Sequence, residues 1–213
     1  MDKYQAQMQA RVANRRAQIA QDAATLPVEE DAILLFAKNS FTELHEAISR
    51  GDTARAQSAR RRLDALAYNL AARDHDGSYR AARRIEASLA PPAGDIPTWG
   101  LDGEFLAVVD GIKVRCVKLG AHLSLHAVDA DAPFFTPTGF RSCLNGFGGG
   151  GDVMAATVSV IRRLLNENGR QSIEPQYRDH IKASQPEWVA IAVAALGAPQ
   201  LSYQDGVQMA FAF

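Results

Sequence analysis

Apolar residues in the first 90 positions of the chain recur at steps of three and four residues. This spacing places them on one face of an α-helix. The pattern predicts an alanine- and glutamine-rich helix over residues 2–24, a second helix with one apolar stripe, and a third helix after Gly51. The apolar stripe of the second helix contains Ile33, Ala37, Phe41, Leu44 and Ile48. The apolar stripe of the third helix contains Ala56, Ala59, Leu63, Leu66 and Leu70. We expect the two striped helices to form an antiparallel hairpin with small residues at the seam.

The period of the apolar residues changes after a proline-rich turn. A shorter helix is predicted from Ser78 to Leu89, and Pro91-Pro-Ala-Gly94 then indicates a boundary. Beyond it, apolar and polar residues alternate, which is typical of strands. The first two strands meet at Asp110-Gly111, a pair common in two-residue hairpin turns. The strands are predicted over residues 104–109, 112–117 and 122–128.

Helical patterns return in the last third of the chain. Asp152 is expected to cap an amphipathic helix that ends at Asn168-Gly169. Residues 177–183 predict a short helix, and Ser184 is expected to cap a further one. Residues 201–213 predict a final hairpin, whose last strand would complete the sheet.

These elements together predict an α+β fold. A helical layer is expected over residues 1–90, and a mixed α+β domain over residues 95–213. In the second part, a small antiparallel sheet would pack with the C-terminal helices, because a two-stranded hairpin alone is marginally stable.

Composition narrows the classes of function. The 213 residues have a formal net charge of −1, which argues against nucleic-acid binding by the whole surface. Two cysteines, Cys116 and Cys143, do not make a disulfide framework or a structural zinc site. Apolar runs in the sequence are shorter than the roughly 20 residues that span a bilayer, and the polar first residues are not typical of a signal peptide. The sequence therefore predicts a soluble, cytoplasmic protein without a cofactor, a metal or a membrane partner.

The segment Thr-Gly-Phe-Arg-Ser that ends at Ser142 is the strongest candidate for binding. Gly139 permits a tight turn, Arg141 offers a planar fork for a carboxylate or phosphate, and Ser142 adds a hydroxyl. The structural alternative is that Arg141 pairs with Asp129 or Asp131 and locks the loop to the preceding strand. Both interpretations stay open at this point.

Two histidines share a face of the third predicted strand. His122 and His126 are four positions apart, so that about 13 Å of extended chain separates them, too far for one metal ion without a bulge. A polar outer face of the sheet is the simpler interpretation. The sequence has no hydrolase elbow, paired-carboxylate motif or zinc-binding histidine helix, and we assign no catalytic residue.

Four consecutive glycines, Gly148, Gly149, Gly150 and Gly151, precede the predicted helix cap. Bare backbone N–H groups at a helix N-terminus bind phosphate, so a nucleotide- or phosphate-binding enzyme is one alternative. However, the loop lacks the Gly-Lys-Ser/Thr ending of a phosphate-binding loop, and Asp152 places a negative charge where a phosphate would lie. A flexible connector is the simpler interpretation.

The third helix carries a basic cluster formed by Arg55, Arg60, Arg61 and Arg62. As a binding face it would contact phosphates, which makes a DNA-binding accessory protein the other alternative. The competing interpretation is a solvated surface with local ion pairs such as Arg60–Asp64.

Several segments of the middle region resemble a domain of accessory proteins from plasmids, integrative elements and phages. These segments are Trp99–Leu106, Val109–Gly111, Ser124–Asp129 and Thr138–Ser142. The family pattern at the arginine is Glu-Thr-Gly-Tyr-Arg-Ser, whereas this chain has Thr-Pro-Thr-Gly-Phe-Arg-Ser. The resemblance implies a setting in which proteins often counter host restriction or CRISPR systems, or modulate conjugation.

The resemblance favours a non-catalytic protein that inhibits a host protein or ribonucleoprotein complex by direct contact, in the manner of an anti-CRISPR or anti-restriction protein. The expected contact residues are Arg141, Asp129, Asp131, His126 and Ser142. Their acidic members would occupy a basic groove meant for nucleic acid, since charge complementarity orients association. Nucleic acid is a possible partner but is not favoured.

Overall fold

The computed structural model describes residues 3–144 and 152–197. The chain divides into two compact units: the first contains Met1–Leu89 and Thr98–Leu101, and the second contains Ala90–Pro97 and Asp102–Phe213. Helices come first along the chain, an antiparallel sheet follows, and further helices come last. The predicted α+β class is therefore confirmed.

Helices build the described part of the first unit. They are α1 (Lys3–Ala23), α2 (Glu30–Ser49), α3 (Thr53–Asp74) and α4 (Ser78–Leu89). The two predicted apolar stripes are buried except at Ile48 and Leu63, which are partly buried. Ile33 and Ala37 of α2 and Leu66 and Leu70 of α3 are at most 1% exposed. Helices α2 and α3 are antiparallel and pack through small residues such as Ala59, as the sequence predicts.

An aspartate caps the N-terminus of α3. The Asp52 carboxylate accepts a hydrogen bond of 3.0 Å from the Arg55 backbone N–H, which confirms the predicted N-cap.

Thr98–Leu101 packs on α2, where the Trp99 backbone N–H lies 3.2 Å from His45 Nδ1. Gly100 has a φ of +97°, and a Cβ there would lie 3.0 Å from the Phe41 ring, so that only glycine fits well.

The second unit contains a four-stranded antiparallel sheet. Its strands are β1 (Gly103–Val109), β2 (Ile112–Leu119), β3 (His122–Ala127) and β4 (Phe140–Cys143), in the order β1-β2-β3-β4. The predicted hairpin turn is confirmed, with positive φ at Asp110 (51°) and Gly111 (82°). One face of the sheet is buried and the other is partly exposed, which follows from the alternation in sequence.

Strand β4 was not predicted from the sequence. Arg141 and Ser142 belong to this edge strand, in which Arg141 is paired with Leu125 and Ser142 with Ser124. Gly139 makes the tight turn that the sequence predicts at this position. Its φ is +68°, and a Cβ there would clash with Ile181, so the position excludes larger residues.

Three helices follow the sheet in the described residues. They are α5 (Val153–Asn168), α6 (Pro175–Ala183) and α7 (Glu187–Gly197). The Asp152 cap is confirmed by a hydrogen bond of 2.6 Å from the Ala155 backbone N–H. The prediction for Ser184 was wrong, because its N–H donates to the His180 carbonyl and closes α6 instead of opening α7. The predicted hairpin over residues 201–213 lies outside the described residues.

Candidate nucleic-acid interface

The helices of the first unit differ in charge. Helix α1 has four basic and one acidic residue, α3 has five and two, and α4 has three and one, for formal charges of +3, +3 and +2. Helix α2 has one basic and four acidic residues and a formal charge of −3. A positive surface on this unit must therefore come from α1, α3 and α4.

The acidic residues of α2 neutralise part of the arginine cluster. Glu43 accepts hydrogen bonds from Arg55, at 3.1 Å, and from Arg62. Burial by itself raises the pKa of Glu43, but the bonds from the two guanidinium groups outweigh it, and the pKa lies below its usual value. Glu46 lies 3.6 Å from the same Arg55. Arg55 and Arg62 are thus committed to α2.

Arg60 and Arg61 have no ion pair among the described residues, and both are exposed. The predicted local pair of Arg60 with Asp64 is wrong, because the Asp64 carboxylate lies 3.1 Å from Arg15 of α1. The predicted basic cluster therefore separates into a neutralised half and an available half.

Helix α1 adds two further exposed arginines. Arg11 and Arg16 also have no ion pair with any residue that the structure describes. They belong to the first helix, for which no binding role was predicted from the sequence. The sequence feature that could have indicated these two arginines is the positive charge of α1, which has one acidic residue, Asp22, against four basic ones.

A groove of about 1030 Å³ lies between the three positive helices. Arg15 and Arg16 of α1 line it together with Tyr68 of α3 and Tyr79 of α4. Apolar side chains of α1 complete its walls, among them Val12, Ile19 and Ala20. Neither tyrosine was predicted from the sequence as a binding residue, because aromatic residues at helical spacing are more often part of a core.

The contact patch predicted on the second unit is not one cluster. Asp131 forms ion pairs with Arg178 at 3.6 Å and Lys182 at 3.1 Å, and not with Arg141. The Asp129 carboxylate accepts a hydrogen bond of 2.9 Å from the Asp131 backbone N–H. The proposed lock between Arg141 and these aspartates was therefore wrong. Whether the patch binds a partner stays a prediction.

Two further predicted contact residues, Ser142 and His126, lie on the partly exposed face of the sheet. Ser142 Oγ and His122 Nε2 share a hydrogen bond of 2.5 Å. His126 packs against Phe140, with ring centroids 4.9 Å apart. Burial and, to a smaller extent, the nearby positive charge of Arg115 together lower the pKa of His126 to about 4. His126 is thus neutral at pH 7.

Other candidate chemistry receives no support from the described residues. Gly148 to Gly151 lie outside them. No group of three His, Cys, Asp or Glu side chains in residues 3–144 and 152–197 could hold a metal ion. None of the helices in these ranges has the length and apolar character to cross a membrane.

Comparison with known proteins relates the first unit to DNA binding. Residues 18–88 match a family model described as the KlcB N-terminal DNA-binding domain. The matched range begins within α1, includes all of α2 and α3, and stops one residue before the end of α4. It therefore contains Arg60, Arg61 and both groove tyrosines.

Two curated proteins of Escherichia coli, each named Protein KlcB, are similar over most of this chain. One is 34% identical over 180 residues, which cover 78% of this chain and 45% of the relative. The other is 32% identical over 192 residues, which cover 83% of this chain and 41% of the relative. The chain thus spans less than half the length of these relatives. No solved structure gave a significant match.

Proposed function

We propose that the first unit binds DNA through the surface formed by α1, α3 and α4. The observation that carries this proposal is the match of residues 18–88 to a domain described as DNA-binding. The match favours the DNA-binding alternative over the inhibitor that the sequence analysis preferred. The second unit lies outside the matched range.

The distribution of charge supports this surface as the interface. Arg11, Arg16, Arg60 and Arg61 are exposed and have no acidic partner in the described residues. Each such guanidinium that contacts a phosphate releases condensed counterions, which drives association. A net charge of −1 for the whole chain does not oppose this, because 12 of its acidic residues follow position 90 and four more lie on α2.

The setting that we propose is a mobile genetic element. It rests on the resemblance of the middle region to accessory proteins of plasmids, integrative elements and phages. Inhibition of a host defence complex stays a prediction, since no contact of the described residues supports it.

The proposal is tested by the affinity of the full chain for fluorescently labelled DNA, measured by anisotropy. The Arg60→Ala/Arg61→Ala variant should bind about 25- to 60-fold more weakly at about 0.1 M salt, if each arginine contributes about 0.7 to 0.9 released counterions. The control is Arg162→Ala/Arg163→Ala, another adjacent exposed pair, on α5 of the second unit, in which each arginine lies 3.9 Å from an acidic side chain. It removes the same charge and should change affinity little.

Equal losses for the two double variants would indicate a general effect of charge and would contradict the assignment to α3. Absence of binding by the unaltered chain at low salt would remove the proposal. Circular dichroism shows whether the variants fold, which both are expected to do because the four side chains are exposed.

A further inference from the structure

We infer that the groove between α1, α3 and α4 binds single-stranded DNA by stacking unpaired bases on Tyr68 and Tyr79. The inference rests on the proposed function and names the form of DNA that this surface takes. It concerns side chains that carry no charge, and so it is separable from the phosphate contacts.

The first support is the exposure of the two rings. Tyr79 is 79% exposed and Tyr68 is 40% exposed, and both line the same groove. Neither ring belongs to the apolar core of the first unit. A tyrosine ring offers a flat apolar surface at little conformational cost, and nucleobases stack on such rings in sites for single strands.

The second support is the position of the cations around the groove. Arg16 lines the groove without an acidic partner in the described residues, and Arg15 lines it beside Asp64, with which it pairs at 3.1 Å. Arg15 and Asp64 also line an adjoining hollow together with Arg60, which has no ion pair in the described residues. Arginines therefore extend from the tyrosines along α3 toward its N-terminal half. A positively charged groove with interspersed aromatic rings is the combination that tracks a strand by its phosphates and its base faces.

Duplex DNA is a poorer fit to this surface. In a duplex the base faces are stacked on one another, and only base edges and phosphates are accessible to side chains. The rings of Tyr68 and Tyr79 would then have no base face to contact. The groove volume of about 1030 Å³ is at the upper end of the roughly 300–1,000 Å³ of sites that hold drug-sized molecules. It has room for an unstacked base.

The test compares one labelled strand with the duplex formed by annealing its complement, using the full chain. We expect tighter binding of the single strand. Tyr68→Ala and Tyr79→Ala should each weaken that binding by about 5- to 160-fold, the loss that follows from one stacked base. Tyr68→Phe and Tyr79→Phe keep the ring and should retain affinity. The salt dependence should not change in any of the four variants, because none removes a charge.

Tighter binding of the duplex, with no effect of either alanine substitution, would overturn this inference. If the duplex binds more tightly and Arg60→Ala/Arg61→Ala weakens duplex binding, the proposed DNA-binding function stays in place. If neither form of DNA binds the unaltered chain, the proposed function fails as well. A loss of affinity in the phenylalanine variants equal to that in the alanine variants would also contradict stacking.

Discussion

The two units of the molecule arrange their charged side chains differently. In the first, the arginines of α3 divide into those that reach Glu43 of α2 and those, such as Arg60 and Arg61, that have no acidic partner in the described residues. In the second, Arg178 and Lys182 pair with Asp131, and Arg162 and Arg163 each lie 3.9 Å from an acidic side chain. Residues after position 90 also contain 12 acidic against 9 basic residues.

This contrast shows why net charge is a poor guide to binding in a chain of two units. A total of −1 averages an acidic second part with a first part whose positive residues lie on particular helices. Association with phosphate depends on the cations within about a Debye length of the contact, not on the sum over the chain. Association with DNA should therefore depend on the number of arginines without an acidic partner, and this dependence is what the experiments below test.

The largest effect is expected from removing a carboxylate that pairs with arginines of the first unit. Glu43→Gln removes the carboxylate that holds Arg55 and Arg62. Arg62 then becomes available, whereas Arg55 still lies 3.6 Å from Glu46. The logarithm of affinity should fall more steeply with the logarithm of salt concentration, by about 0.9 for duplex DNA if only Arg62 reaches it and by up to about 1.8 if Arg55 does so too. Anisotropy titrations over several salt concentrations measure this slope.

The matched control for this substitution is Glu46→Gln, which removes the same charge on the same helix. Glu46 lies farther from its arginines, at 3.6 Å from Arg55 and 3.9 Å from Arg50. A smaller increase is expected. An unchanged slope in Glu43→Gln would mean that Arg55 and Arg62 do not reach DNA even when they are released.

The second unit should respond to pH through His126, independently of DNA. Burial, with Arg115 nearby, lowers the pKa of His126 to about 4, whereas the unfolded chain has the ordinary value near 6.5. The unfolded state thus binds a proton that the folded state does not. The free energy of unfolding should be highest above pH 6.5 and decrease as the pH falls from 6.5 toward 4.

Urea unfolding at pH 7 and pH 5 measures this effect. The His126→Gln variant should lose less stability between the two values than the unaltered chain does. His75→Gln, at an exposed position after α3 of the first unit, is the control and should behave like the unaltered chain. The same pH dependence in His126→Gln would assign the effect to other groups.

The smallest expected effect concerns the ion pairs of Asp131. The carboxylate is 60% exposed, and such pairs contribute about 0.2–1 kcal/mol to stability. Asp131→Asn should therefore lower the free energy of unfolding by no more than about 1 kcal/mol and leave DNA affinity unchanged. A large loss of stability, or a change in DNA binding, would contradict the division of roles between the units.

Much of the fold follows from local sequence patterns. The stripes of α2 and α3, the Asp52 and Asp152 caps and the Asp110-Gly111 turn each depend on residues close together in the chain. Strand β4 was missed because it has four residues and is defined by its pairing with β3. Ser184 was misassigned because a serine between two helices can end one or begin the next.

The candidate site was only partly predictable. The cluster at Arg60–Arg62 is visible in the sequence, but its division depends on contacts between α2 and α3, with Arg62 and Glu43 19 positions apart. The groove requires α1, α3 and α4 together, and Tyr68 and Tyr79 meet there only in the folded chain. Sequence periodicity locates each residue on its helix without showing which other helix it faces.

The most direct test of the central claim is the salt dependence of DNA affinity for three proteins: the unaltered chain, Arg60→Ala/Arg61→Ala and Arg162→Ala/Arg163→Ala. We predict that the slope of log affinity against log salt becomes shallower by about 1.4 to 1.8 in the first variant and stays unchanged in the second. A slope that is unchanged in the first variant, or equally reduced in both, would contradict binding through the first unit.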